Sequence, residues 1–295
     1  MAVKKILILG SSGLLGSSLA NFFISNKIDF LRHSREKGSI LSADLTNSQA
    51  ALSMLREINP DVVINLTGLT DVDYCQRNLQ DAYLSNVKII ENLKPFFISN
   101  NQNPHLIHIS TDHVYDQPYP SQIDEINIKN FYAFSKYAGE LAALSVSGNV
   151  SILRTNFCGF SLCSKRKSFT DWLYQAAKNQ TDINVFDDVK FSPLSMHSLS
   201  YYINQIIENG PTGLINLGSR DGMSKADFAY AFIDKLGLDS SFMTRVNSID
   251  LDLVQIPRPM DMRMDSTSFE KIFNCKLPTL KEEIESIAED YYEQT

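Results

Sequence analysis

The tightest constraint in the chain sits in its first sixteen residues, where an apolar run, Lys5–Leu9, breaks directly into Gly10-x-x-Gly13-x-x-Gly16. That order predicts a buried strand, a sharp turn and the opening of a helix. Each glycine has its own reason. The first permits the turn, the second lets backbone approach a pyrophosphate, and the third seats the helix close against the strand. Amide groups at the helix amino end then face the anion. The unit reads as a dinucleotide site, with Gly10, Ser12, Gly13, Leu14, Leu15 and Gly16 as cofactor contacts. A bare glycine triplet also serves as a structural turn, and it is the strand before it and the helix after it that favour binding.

The first half repeats this alternation. Asp29–Arg32, Val62–Leu66, Leu106–Ser110 and Val150–Arg154 read as strands, and Leu15–Ser25, Ser48–Ile58, Asp81–Phe97 and Tyr132–Leu144 as helices. Strands separated by helices at this spacing need right-handed crossovers, hence a mostly parallel sheet covered on both faces. The expected fold class is α/β, a Rossmann-type doubly wound sheet with a smaller carboxyl-terminal domain. The second half is less regular. Phe169–Ala177, Leu199–Glu208 and Lys225–Leu236 read as helices and Leu214–Leu217 as a strand, while Thr279 with Glu282 forms a capping box before a last helix. A boundary is expected near residue 155. Residues 1–155 then mainly form the dinucleotide domain and 156–295 the second one, with later segments free to return to the main sheet.

A chain of 295 residues with 43% hydrophobic and 21% charged residues has the make-up of a globular enzyme. Its net charge of −7 argues against a nucleic-acid-binding surface. The positive start and apolar run outline a signal peptide, but the run ends at Leu9 in the glycine loop and reads better as a strand. No stretch reaches the roughly 20 apolar residues of a membrane span. A cytoplasmic protein is expected. Cys75, Cys158, Cys163 and Cys275 fit neither a disulfide lattice nor a CxxC pair, so no metal is expected. Nothing in the sequence separates an assembly face from buried helix stripes, which leaves a homodimer open.

The end of the second strand bears on the cofactor. An NAD site commonly places a carboxylate about 20 residues beyond the glycine loop. Here the stretch reads Phe30-Leu31-Arg32-His33-Ser34-Arg35, with cations in the acid's place. Arg32 and Arg35 suit a ribose phosphate, with ordinary solvated arginines as the alternative, which favours NADPH and still admits NADH. His33 and Ser34 join the same set. Asp44, followed by Leu45, either meets the adenine amine or caps the helix beginning near Asn47. Leu66, Thr67 and Gly68, at the carboxyl end of the third strand, complete the cofactor contacts, because ligands of such sheets bind outside strand carboxyl ends.

Tyr132 and Lys136 form YxxxK at a helix start, on one face with about 6 Å of rise between them. A tyrosine with its ordinary pKa of about 10 needs roughly 4 kcal/mol of phenolate stabilisation to act near neutrality. An ammonium at about 4 Å, at an effective dielectric of about 20, supplies that order of energy. A second YxxxK, Tyr174 with Lys178, has no polar strand end before it and reads as helix surface. The first follows Ser110-Thr111-Asp112, where the Thr111 hydroxyl suits a substrate carbonyl and Asp112 either contacts substrate or organises the loop. Thr111 as an N-cap and Asp112 as a turn carboxylate are the bland alternatives. His113 reads as a loop residue and His108 as a hydrogen-bonded core histidine.

These residues resemble the extended short-chain dehydrogenase/reductase family, and within it the dTDP-4-dehydrorhamnose reductases. The resemblance runs through the glycine loop, Asp61-Val62-Val63-Ile64-Asn65, Thr70-Asp71-Val72-Asp73 and Ser110-Thr111-Asp112-His113-Val114-Tyr115-Asp116. It continues through Tyr132-x-x-Ser135-Lys136-x-x-Gly139-Glu140, Leu153-Arg154-Thr155 and Arg258-Pro259, covering nearly the whole chain. It implies a carboxyl-terminal sugar-nucleotide domain and hydride delivery to the C4 ketone of a nucleotide-linked 6-deoxyhexose, with dTDP as the expected nucleotide. Thr111, Tyr132 and Lys136 become the catalytic set, and Asn86 supports their geometry. Asp112, His113, Asn156, Phe157 and Arg258 become substrate contacts, with a surface salt bridge as the competing role for Arg258. The chain departs from the pattern at His113, where these reductases usually carry Tyr, at Tyr115, where they carry Phe, and at Phe157, where they often carry Trp. A smaller ring at 157 bears on which sugar fits. Two rival readings are a nucleotide-sugar epimerase, with retained cofactor, and a non-catalytic NADP-binding regulatory subunit.

Overall fold

The computed structural model describes residues 4–34, 41–146, 148–250 and 256–292. Along the chain run β1 (Ile6–Leu9), α1 (Leu14–Ser25), β2 (Phe30–His33), α2 (Ser48–Ile58), β3 (Val62–Asn65), α3 (Val72–Arg77), α4 (Leu79–Tyr83), a π-helical stretch Leu84–Lys88, α5 (Ile89–Ser99) and β4 (His105–Ile109). A 3₁₀ turn, Asp112–Val114, precedes α6 (Phe131–Leu144), β5 (Val150–Thr155), β6 (Phe157–Cys158), α7 (Phe169–Asn179), β7 (Ile183–Phe186), β8 (Lys190–Phe191) and β9 (Leu194–Ser195). Then come α8 (Met196–Asn209), β10 (Gly213–Leu217), β11 (Met223–Ser224), α9 (Lys225–Lys235), β12 (Met243–Val246), α10 (Thr267–Phe273) and α11 (Leu280–Tyr292).

The chain divides into two compact units. The first comprises Met1–Thr111, Asn130–Arg154 and Ser200–Ile215, and the second Asp112–Lys129, Thr155–Leu199 and Asn216–Thr295. The segment 112–129 thus belongs to the second unit, although it precedes the boundary expected at 155. It is the polar tail of β4, and a loop that bonds within itself and to residues near 260 has no reason to stay with the strand it leaves. Met260 N–H and Asp261 N–H both donate to Asp116 Oδ1.

In the first unit the sheet order is β10-β5-β4-β3-β1-β2, and β2–β1, β1–β3, β3–β4 and β4–β5 pair parallel. This is the doubly wound α/β arrangement. β1 and β3 are buried at every position, as a strand covered on both faces must be. Leu7, Leu9, Val63 and Leu106 pack with Leu55 of α2 and Leu93 of α5 in one core. The continuous helix expected over Asp81–Phe97 is a composite that starts at Leu79 and widens into the π-helical stretch. The extra residue in that turn has a local use, described below, that apolar periodicity does not reveal.

The second unit is built around its own aromatic core. Phe228 packs edge-on to Phe191, and Phe232 edge-on to Tyr291, with ring centroids 5.3 Å apart in both pairs. Ser168 and Asp171 form a capping box at the start of α7, and Thr279 with Glu282 forms another before α11. The Lys178 ammonium lies 5.4 Å from the Tyr174 ring centre, a helix-surface contact. Among the described residues no helix is long and apolar enough to cross a membrane.

Candidate active site

The glycine loop is held from β2. Gly10 N–H and Ser11 N–H both donate to His33 O, at 3.2 and 3.1 Å. Gly10 sits at φ +82°, and a Cβ there would lie 3.1 Å from the Leu66 carbonyl and the Thr67 nitrogen. A Cβ on Gly16 would lie 2.3 Å from Gly10 O and 2.8 Å from Ser11 Cα, which no local adjustment relieves. Gly13 differs from both. It caps α1 with φ −75°, and its Cβ would meet only Gly10 O, at 3.4 Å. Space left open where the fold has no need of it, at the amino end of a helix, fits an approaching phosphate. Gly13→Ala should therefore keep the thermal stability of the protein and weaken dinucleotide binding by tenfold or more, about 1.4 kcal/mol. Gly16→Ala should lower stability as well. Calorimetric titration beside thermal unfolding separates the two.

Several expected cofactor residues have local duties. The His33 ring is buried and meets Ala43 O at 2.9 Å and Ala43 N at 3.2 Å, so what it offers the loop is its backbone carbonyl. Ser12 Oγ and Ser34 Oγ lie 2.9 Å apart. Leu14 is half-buried, whereas the Leu15 and Leu45 side chains are buried, which leaves those two only backbone for a ligand. Asp44 is exposed and accepts from Thr46 N and Thr46 Oγ1, while the cap of α2 is Asn47, which accepts from Ala50 N. Arg32 is exposed at the end of β2, and Arg35 lies outside the described residues.

Asn65, at the carboxyl end of β3, accepts from Thr67 N at 3.1 Å and from Thr67 Oγ1 at 2.5 Å. Its amide nitrogen lies 3.2 Å from His108 Nδ1, and burial holds that imidazole far below its ordinary pKa, hence neutral. His108 is thus the hydrogen-bonded core histidine that its place in an apolar strand suggests.

α6 begins at Asn130, whose side chain accepts from Ala133 N at 2.9 Å. Tyr132 therefore stands in the first turn, where the positive end of the helix favours an anion. It is 6% exposed and Lys136, one turn on, 4%. The Lys136 ammonium donates to Ile109 O, at 2.6 Å. Burial pushes its pKa down to about 8, partly offset by attraction to Glu140 and Cys75. Thr111 is buried two residues past the end of β4.

What holds α6 in place was only partly legible. Asn86 lies in the π-helical stretch, accepts from Leu69 N at 2.7 Å, and donates to Leu69 O at 3.0 Å and Ser135 Oγ at 2.8 Å. It ties the loop after β3 to α6. A Cβ on Gly139 would come within 2.3 Å of Asn86 O, so the helix can approach that closely only with glycine there. Arg154 in β5 and Glu140 in α6 are both 1% exposed and paired at two points, Nε to Oε1 at 2.9 Å and Nη2 to Oε2 at 2.6 Å. Ser110 Oγ donates to the same Glu140 Oε1. An arginine inside an otherwise apolar strand was the available signal, since a buried charge needs a partner.

In the second unit, Asp112 is 1% exposed and accepts from Asn156 Nδ2 at 2.6 Å. His113 is half-buried, and burial, then the charges of Lys225 and Arg258, hold its pKa down to about 3. Tyr115 is fully buried and donates to Asn216 Oδ1 at 2.7 Å, which accommodates a hydroxyl where Phe is usual in the resembled family. Phe157 is half-buried in β6, and Arg258 is exposed. Lys225, half-buried at the start of α9, has its pKa lowered by burial, an effect opposed by the charge of Asp112 and added to by that of Arg258. Among the described residues no group of three His, Cys, Asp or Glu could hold a metal ion.

A family model described as the RmlD substrate binding domain matches residues 4–293. A dTDP-4-dehydrorhamnose reductase of Aggregatibacter actinomycetemcomitans is 28% identical over 242 residues, 79% of each chain. A probable low-salt glycan biosynthesis reductase of Haloferax volcanii is 24% identical over 290 residues, 95% of this chain and 96% of that one. The solved dTDP-4-dehydrorhamnose reductase of Bacillus anthracis, in complex with NADP, superposes with a TM-score of 0.86 at 21% identity over 99% of both chains.

Proposed function

The chain belongs to the RmlD substrate binding domain family, and on that premise we propose that it reduces the C4 ketone of a nucleotide-linked 6-deoxy-4-keto sugar with NADPH. The observation that carries this reading is the buried Tyr132–Lys136 pair in the first two turns of α6. Relatives named as reductases of dTDP-4-dehydrorhamnose support the sugar, and a neighbour of the same fold in complex with NADP supports the cofactor.

Bound NADPH would supply the hydride. Gly13 and the amino end of α1 would face its pyrophosphate, and Arg32 its ribose phosphate. Tyr132 donates its phenolic proton to the ketone oxygen as negative charge develops there. The Lys136 ammonium and the helix amino end favour the phenolate left behind. Thr111 orients the carbonyl through its hydroxyl. These interactions strengthen as the oxyanion forms, which is what lowers a barrier. Asn156, Phe157 and Arg258 are the sugar-nucleotide contacts, with Phe157 shaping the sugar preference. The cytoplasm, where NADPH and activated sugars are drawn on, is the expected location.

The test is a panel of nucleotide-linked 4-keto sugars assayed with NADPH and with NADH, product configuration included. One NADPH consumed per sugar reduced is expected, with NADH slower. Sugar conversion without net cofactor oxidation would replace reduction by epimerisation. Copurification in fixed ratio with a larger enzyme, without turnover, would make the chain a regulatory subunit.

A further inference from the structure

Lys136 and Glu140 stand one turn apart on α6, both buried, and both reach the same strand end. The Lys136 ammonium donates to the carbonyl of Ile109, the last residue of β4. Glu140 Oε1 accepts from the hydroxyl of the next residue, Ser110. Ser110 N–H in turn donates to Leu153 O of β5, at 2.7 Å. Thr111 follows, and the chain leaves the first unit directly after it. The position of Thr111 relative to Tyr132, within that unit, therefore depends on what grips residues 109 and 110.

Stability alone gives no reason for a carboxylate here. A buried ion pair is often no more stabilising than apolar side chains of similar volume, because both charges are taken out of water. An apolar pair, however, can neither accept the Ser110 proton nor place a negative charge one turn from the Lys136 ammonium. Arg154 fixes the carboxylate for both tasks, since its Nε and Ser110 Oγ meet on the same oxygen while its Nη2 holds the other. The elements packed against Lys136 bring no second anion at neutral pH. Cys75, on α3, is a thiol whose pKa burial raises to about 11, and His108, on β4, is neutral. Burial works against the Lys136 proton, and the charge of Glu140 is the larger of the two attractions that oppose it.

We propose that Glu140 is a positioning residue for the reduction: gripped by Arg154, it fixes Ser110, and through Ser110 the Thr111 hydroxyl, at the spacing from Tyr132 that Lys136 sets one residue earlier. Its charge also helps the Lys136 ammonium keep its proton out of water. The inference rests on the reductase reading and adds to it the group that aligns the two residues on the carbonyl. Glu140→Gln keeps the length of the side chain and removes the charge, whereas Ser110→Ala removes only the hydroxyl. Each should lower kcat by about tenfold, the scale of a small misplacement, with KM and NADP affinity near those of the parent. In Glu140→Gln the alkaline limb of kcat should also move about one pH unit or more downward, because Lys136 loses a charge roughly 6 Å away. In Ser110→Ala the limb should stay in place. A purely structural Glu140 would lower the unfolding temperature and leave the limb where it is. Isotope-labelled lysine, followed by NMR without any sugar and with Lys136→Arg identifying the signal, reads the same proton independently of turnover. Parent-like kcat and a parent-like limb in folded Glu140→Gln would overturn the proposal. Should that variant not fold, parent-like turnover by Ser110→Ala would overturn it instead. The two readings fail separately. A parent that reduces no 4-keto sugar, with Lys136 still titrating lower in Glu140→Gln, would remove the reaction and leave the charge coupling standing. Normal reduction by both variants would do the reverse.

Discussion

Tyr132→Phe is expected to slow ketone reduction by about 10²- to 10⁴-fold while leaving NADPH affinity essentially unchanged. The substitution keeps the ring that packs in the first turn of α6 and removes only the hydroxyl. Asn130 still caps the helix, and Lys136 still donates to Ile109 O. What is lost, on the proposed mechanism, is a proton donor placed before a cation one turn away. In the proposed mechanism the same pair sets the alkaline limb of the rate. Both the phenol and the ammonium must hold their protons for reduction. Burial brings Lys136 down to about 8, so the rate should fall as the pH rises through that region. Single-turnover measurements across pH check both points. A parent-like burst from Tyr132→Phe would remove the phenol as donor.

Arg154→Met should cost about 3–5 kcal/mol of stability, because it leaves Glu140 charged and buried with its main partner gone. For a protein of this size that is on the order of a 10 °C fall in unfolding temperature. Arg154→Met combined with Glu140→Leu should recover most of the loss, since a pair replaced by apolar groups is often close to neutral. The double variant still lacks the acceptor for Ser110 Oγ, beside Thr111, and so should fold better than it turns over. Urea and thermal unfolding of the parent, the two single variants and the double variant give the coupling energy. A cost below about 1 kcal/mol for Arg154→Met, the range of exposed pairs, would mean that the network does not anchor α6.

How much of this was legible in the sequence depends on whether the cause was local. β1, its glycine turn and α1 follow from apolar run, glycine spacing and helix start, all close together in sequence, and the structure differs from expectation only by one residue at the start of each. α2 was delimited correctly, Ser48–Ile58, because it combines a capping asparagine with a clear apolar face. The π-helical stretch was hidden. Its stabilising contacts come from Leu69 and Ser135, 17 and 49 residues away from Asn86. The same holds for His33, which looked like a ligand contact until the return of the chain at Ala43 engaged its ring. Glu140 and Arg154 were seen as pieces of two separate motifs, and their pairing needed the parallel order of β4 and β5 to bring strand and helix together.

The chain passes from one compact unit to the other at 111–112, 129–130, 154–155, 199–200 and 215–216. Thr111 and Asp112, neighbours in sequence, are on different sides of the first of these points. No single cut of the polypeptide separates the residues that would read the dinucleotide from those that would read the sugar. Shuffling of contiguous gene segments is therefore a poor route to new pairings of cofactor and sugar in this architecture. Change has to come one side chain at a time, at positions such as the proposed sugar contact 157, against a backbone whose path stays fixed.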